Sequence, residues 1–81
     1  MFLRQFQYLV TLAEEKNLGR AAQRCNVSQP SLSSAIKQLE QELGIPIVLR
    51  HQRFSGMTEE GKRVLEWGKR ILADRDALLM E

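Results

Sequence analysis

Gln29, Pro30, Ser31, Ser33 and Ser34 fall within six consecutive positions, and Lys37 follows about one helical turn later. Side-chain amides and hydroxyls make poor nucleophiles without a base beside them, and this stretch holds no histidine, cysteine or carboxylate. What they do well is exchange hydrogen bonds with donors and acceptors of fixed geometry. An amide can bond adenine N6 and N7 together, and a hydroxyl takes either partner. A helix that opens on Gln and Ser, with basic residues around it, therefore has the chemistry to read base edges in a DNA major groove. Arg20, Arg50 and Arg53 carry charge suited to phosphate or to a neighbouring minor groove. Arg53 fits that role in a loop, whereas Arg50, inside a strand, either joins it or pins the loop.

Such side chains need a rigid carrier, and the flanking residues describe one. LGRAAQRC (Leu18 to Cys25) reads as a short helix, Asn26 and Val27 as a tight turn, and Ser28 as the N-cap of a second helix, QPSLSSAIKQLEQEL. Asn tolerates a left-handed backbone, and Pro30 fits a first turn whose N–H groups have no helical partner. Ala21 and Ala22 allow the helices to cross closely, Val27 plugs the turn, and Gly44 stops the second helix. Leu32, Ile36, Leu39 and Leu43 form one apolar stripe at helical spacing. The competing reading is an ordinary helical hairpin that packs and reads nothing.

A first helix over roughly Leu3 to Glu15 presents Leu3, Phe6, Leu9, Val10 and Ala13 as the third wall of a core, with Phe2 and Tyr8 on the rim. Asn17 is placed to cap the helix that follows. After Gly44 the pattern alternates through Ile45, Ile47 and Leu49, and Ser55-Gly56 signals a turn. This predicts a short hairpin, Ile47–Arg50 paired with Ser55–Met57, whose loop of Arg50, His51, Gln52 and Arg53 forms a basic wing. His51 has no companion ligand with which to bind a metal. Thr58 caps a last helix running to about Met80, with Glu59 and Glu60 at its positive end. Val64, Ile71 and Leu78 repeat every seven residues beside Leu65, Leu72 and Leu79, with Trp67 and Gly68 among them. About 22 residues make a helix of roughly 33 Å, longer than three short helices can cover. A second copy of the same helix is the simplest partner for these eight residues, the alternative being a monomer whose tail frays.

The expected architecture is mostly α: residues 1–58 as a winged helix-turn-helix with a three-helix core, residues 59–81 as a linker and dimerisation helix. Eighty-one residues leave room for one modest core, which argues against a buried catalytic cleft. No cofactor or metal is called for. Between Lys16 and Arg53, six basic residues face only Glu40 and Glu42, so positive charge gathers on the helix pair and wing although the net charge is only +2. No apolar run is long enough to span a bilayer, and Arg4, Gln5 and Gln7 interrupt any leader-like N-terminus. The single cysteine, Cys25, reads as a buried thiol, which suits a reducing compartment, the cytoplasm or nucleoid.

Taken in order, LRQFQYLVTLAEEKNLGRAA, VSQPSLSSAIKQLEQELG, the wing with Arg50 and Arg53, and MTEEG resemble the N-terminal DNA-binding region of LysR-type transcriptional regulators over essentially the whole chain. The resemblance implies a homodimeric winged helix-turn-helix whose last helix pairs antiparallel with its mate on two-fold-related promoter DNA. It implies base or phosphate contacts from Gln29, Pro30, Ser31, Ser33 and Ser34, with Arg53 on the wing against the DNA. Two positions depart from the family pattern: many members carry Arg where this chain has Ser34, and a hydroxyl residue where it has Gly19. Family members continue into an effector-binding domain, which this chain, ending at Glu81, is expected to lack.

Overall fold

Three of the four helices begin where a side-chain oxygen accepts an N–H of the first turn. Asn17 Oδ1 accepts from the Arg20 N–H at 2.8 Å, Ser28 Oγ from Ser31 at 3.2 Å and Thr58 Oγ1 from Gly61 at 2.8 Å. At the first helix Phe2 has no such oxygen, and Gln5 Oε1 instead accepts the Phe2 N–H at 2.7 Å. The computed structural model describes residues 1–50 and 54–81. The elements run α1 (Leu3–Glu15), α2 (Leu18–Arg24), α3 (Gln29–Leu43), β1 (Val48–Arg50), β2 (Phe54–Met57) and α4 (Glu59–Leu79). This is the expected winged helix-turn-helix followed by a long helix. Asn26 takes the left-handed backbone its position demanded, with φ 57°, and Gly44 ends α3 at φ 72°.

Helix α1 packs on α2, α3 and α4, and the core gathers around it. Phe6, Leu9 and Leu12 of α1 meet Ala21 and Ala22 of α2, Leu32, Ile36 and Leu39 of α3, and Ile47 and Val48 at the hairpin. The buried face of α1 differs from the predicted stripe. Leu3 is exposed, Val10 and Ala13 are half-buried, and Gln5 and Leu12 are buried in their place. Gln5 is tolerated there because its amide is bonded at both ends, Oε1 to Phe2 and Nε2 donating to the Ala35 carbonyl at 3.4 Å. The stripe of α3 also stops one turn short of expectation. Leu43 is exposed because the chain turns away at Gly44. Cys25 is half-buried rather than buried, since α2 ends there and the thiol sits at the helix terminus.

The hairpin starts one residue later than predicted. Val48 pairs with Met57, Leu49 with Gly56 and Arg50 with Phe54, with an irregularity between Leu49 and Arg50. Alternation through Ile45, Ile47 and Leu49 does not hold: Ile47 and Val48 are both buried, and Leu49 is exposed. The cause is Glu40 of α3, whose Oε2 accepts the N–H groups of Ile47 and Val48 at 2.7 and 3.2 Å. A strand ladder sends successive N–H groups to opposite sides, so two consecutive ones on a single oxygen require a bend before the strand begins.

The first half of α4 closes the remaining side of the core, and Gly61 and Gly68 are its buried residues. A Cβ on Gly61 would collide with the Ile47 carbonyl, and one on Gly68 would lie 2.9 Å from Phe6 Cδ1. No helix among the described residues is long and apolar enough to cross a membrane.

Candidate nucleic-acid interface

With Leu32, Ile36 and Leu39 buried, the 100° step of a helix turns Pro30, Ser34 and Lys37 directly outward. Gln29, Pro30, Ser31, Ser34 and Lys37 are all exposed, and Ser33 is half-buried. The structure therefore brings the predicted residues onto the first turns of one rigid element, with Pro30, Ser34 and Lys37 on its outward side. Ser31 Oγ accepts a hydrogen bond from Ser28 Oγ at 2.8 Å, which ties the first turn together. Gly19, at the start of α2, lies close by, because a Cβ there would come within 3.6 Å of Gln29 Oε1. The Gln29 amide thus sits beside the N-terminal end of α2.

The basic residues divide into tied and untied groups. Arg20 was expected to meet phosphate, but its Nε lies 3.3 Å from Glu15 Oε1 and its Nη2 donates to the Glu15 carbonyl at 3.0 Å. Its side chain remains 63% exposed, so the bond to α1 orients the guanidinium without hiding it. Arg24 bonds Glu14 at 2.9 Å and Glu15 at 3.0 Å. Those bonds, Glu14 first, hold its guanidinium pKa above the ordinary arginine value. Lys37, by contrast, has no acidic partner among the described residues. Arg50 closes β1, and His51, Gln52 and Arg53 lie outside the described residues.

The eight residues assigned to the long-helix seam also divide. Gly68 packs on Phe6 of its own chain, which corrects its assignment to a partner helix. Val64, Leu65, Ile71 and Leu72 are partly buried against the same core. Trp67, Leu78 and Leu79 stand 60%, 71% and 75% exposed. Beyond Leu72 the helix has outrun its own domain, and its apolar residues face solvent.

Two contributors were missed from sequence. Gln5 links α1 to the backbone of α3, and Glu40 anchors the hairpin to it. Gln5 carries no signal in a linear pattern, since its partner is 30 residues away. Glu40 enters the sequence reading only as a charge, since its partners Ile47 and Val48 lie seven and eight residues on, beyond the end of α3. Among the described residues no cluster of histidine, cysteine and carboxylate side chains could hold a metal.

This arrangement is shared by known proteins. The family model for bacterial regulatory helix-turn-helix proteins of the lysR family matches residues 3–62. The HTH-type transcriptional regulator XapR of Escherichia coli (strain K12) is 42% identical over 77 residues, covering 95% of this chain and 26% of that one. The BenM DNA-binding domain in its crystal complex with catB site 1 DNA superposes with a TM-score of 0.92 at 34% identity, over 99% of this chain and 86% of that one. The CbnR DNA-binding domain in its DNA complex gives a TM-score of 0.83 at 33% identity, over the full length of both. The chain spans about a quarter of the length of the curated relatives it matches first. These relatives are described as transcriptional regulators and activators rather than as enzymes. With a family model covering most of its length and the same fold in every element, the chain belongs to the LysR family of bacterial regulatory helix-turn-helix proteins.

Proposed function

We propose that this chain binds double-stranded DNA sequence-specifically, as a homodimer, with α3 in the major groove and the wing beside it. The observation that carries the reading is the outward face of α3. Gln29, Ser34 and Lys37 stand exposed, and their side chains make no hydrogen bond to the described chain, so the side-chain donors and acceptors are free for base edges and phosphates. Gln29 is assigned base recognition. Pro30, Ser31, Ser33 and Ser34 line the contact, and Lys37, Arg20, Arg50 and Arg53 supply charge toward the backbone. That similar domains have been crystallised on DNA supports the assignment.

Dimerisation is assigned to α4. Two reading helices of a symmetric dimer meet the same face of B-DNA when they are about 34 Å apart or a multiple of that. A 21-residue helix is long enough to act as the spacer. Trp67, Leu78 and Leu79 form the exposed part of the seam, with Val64, Leu65, Ile71 and Leu72 at its edge against the core. On this reading the protein works in the cytoplasm, where chromosomal DNA is. Selection of bound duplexes from a random library tests the proposal. A two-fold-related consensus, bound far more tightly than random DNA, is the expected result, and binding that is indifferent to sequence would overturn it.

A further inference from the structure

The N-terminal half of α1 borders a groove whose other wall is α3. Arg4 and Tyr8 of α1 face Ser31, Ser34 and Gln38 of α3 across a floor that includes Ala35. None of the residues lining the groove is acidic. Arg4 has no ion pair among the described residues, and its guanidinium rests on the Phe2 ring, 4.6 Å from the centroid. Stacking uses the face of the guanidinium and leaves its in-plane N–H donors free. The side chains of Tyr8, Ser34 and Gln38 likewise make no hydrogen bond to the described chain. The groove is thus rich in donors, positive and unsatisfied, and it runs straight into Ser31 and Ser34 of the reading face. By contrast, Arg20 and Arg24 of α2 are bound to Glu14 and Glu15 of α1.

We infer that this groove is a second backbone contact: Arg4, with the Tyr8 hydroxyl, holds a phosphodiester of the strand flanking the major groove that α3 enters. The inference rests on the DNA-binding reading above. A phosphate oxygen suits a planar, fork-shaped donor held in place by an aromatic ring, and the adjoining Ser34 hydroxyl and Gln38 amide complete a donor set around one anion. The contact carries no sequence information. It fixes the angle at which α3 enters, so that Gln29 meets its base.

Arg4→Gln, Arg4→Lys and Tyr8→Phe in the full chain test it, by fluorescence anisotropy on the selected duplex and on a random duplex over a range of salt. Arg4→Gln is expected to lose about tenfold in affinity on both duplexes alike, as for one charge-assisted contact. The slope of log K against log salt should flatten by about one unit. Arg4→Lys should restore the slope while recovering only part of the affinity, and Tyr8→Phe should lose a smaller factor without changing the slope. A single uncharged methylphosphonate at the contacted position should weaken the wild type as much as Arg4→Gln does, and should not weaken that variant further. Unaltered affinity and slope for Arg4→Gln, with the wild type binding well, would overturn the groove assignment alone. A wild type that binds neither duplex would overturn the DNA-binding reading and this one with it.

Discussion

Helices α3 and α4 are both amphipathic, and they end in opposite situations. The apolar stripe of α3 is covered by its own chain from Leu32 to Leu39, and what remains outside over that stretch is Ser34, Lys37 and Gln38, with Leu43 exposed only at the helix end. The stripe of α4 is covered only through Leu72, and what remains outside is Leu78, Leu79 and Met80, with Trp67 exposed about three turns earlier. One helix is finished as a surface for polar recognition. The other is left half-finished as a surface for apolar association. Exposed Leu, Met and Trp along one helix of so small a domain are an unusual expense in water, and contiguous apolar patches mark interaction sites. On the proposed function the two faces divide labour: α3 would hold side chains at a fixed angle to a polar ligand, and α4 would set the distance between copies.

This contrast can be broken most forcefully where α4 meets the core. Gly61→Ala would drive a methyl group into the Ile47 carbonyl, which is backbone and cannot swing aside. Even after the helix-propensity gain of about 1 kcal/mol from replacing Gly, the expected net loss is about 3 kcal/mol, the upper range for overpacking. Thermal or urea unfolding measures it, and an unchanged midpoint would show that α4 does not seat on the hairpin. Ala22→Leu strikes the α2 wall of the same core, where Ala22 is only 3% exposed. It should cost about 2 kcal/mol, and melting at the parent temperature with DNA binding intact would mean that the helices do not cross there.

The recognition half of the comparison is sharpened by Gln29→Ala. The side chain is exposed, so folding stability should hold, while affinity for the selected site falls by about 1–3 kcal/mol, as for one lost base contact. Random duplex should be bound almost as before, and equal losses on both would remove Gln29 from base reading. For the association half, Ile71 looked from sequence like the centre of the seam. Its half-burial against its own core means that a charge there would disturb folding and dimerisation together. Leu78→Asp separates them. Changing a side chain 71% exposed should alter monomer stability by no more than about 0.5 kcal/mol, while sedimentation shifts toward monomer and preference for two-fold DNA collapses. A variant that sediments unchanged and keeps full affinity would leave α4 without its assigned role.

How far the linear pattern reached depended on the range of the forces involved. Asn17, Ser28 and Thr58 were readable as caps because each bonds a backbone group three residues on, and Asn26 and Gly44 because their left-handed backbones are local demands. Ser31, Ser34 and Lys37 could be placed outward once Leu32, Ile36 and Leu39 were recognised as inward, since a helix fixes the angle between them. The α1 stripe failed on Leu3 and Leu12 because α1 is packed on three sides, and periodicity alone does not say where the arc is centred.

Helix boundaries, the turn and the polar face of α3 were thus determined by the sequence itself, through interactions spanning four residues or fewer. The tertiary structure decided which neighbours share each side chain. Gln5 reaches Ala35, Glu40 draws in Ile47 and Val48, and Arg20 and Arg24 are tied back to α1 while Arg4 is left free beside α3. It also gave Gly68 to Phe6 rather than to a second helix. Such pairings join residues that become neighbours only after helices have docked, and docking is driven by burial of apolar area, which is blind to direction. A charge or an amide therefore acquires its partner from the fold, and its position in the chain does not announce it.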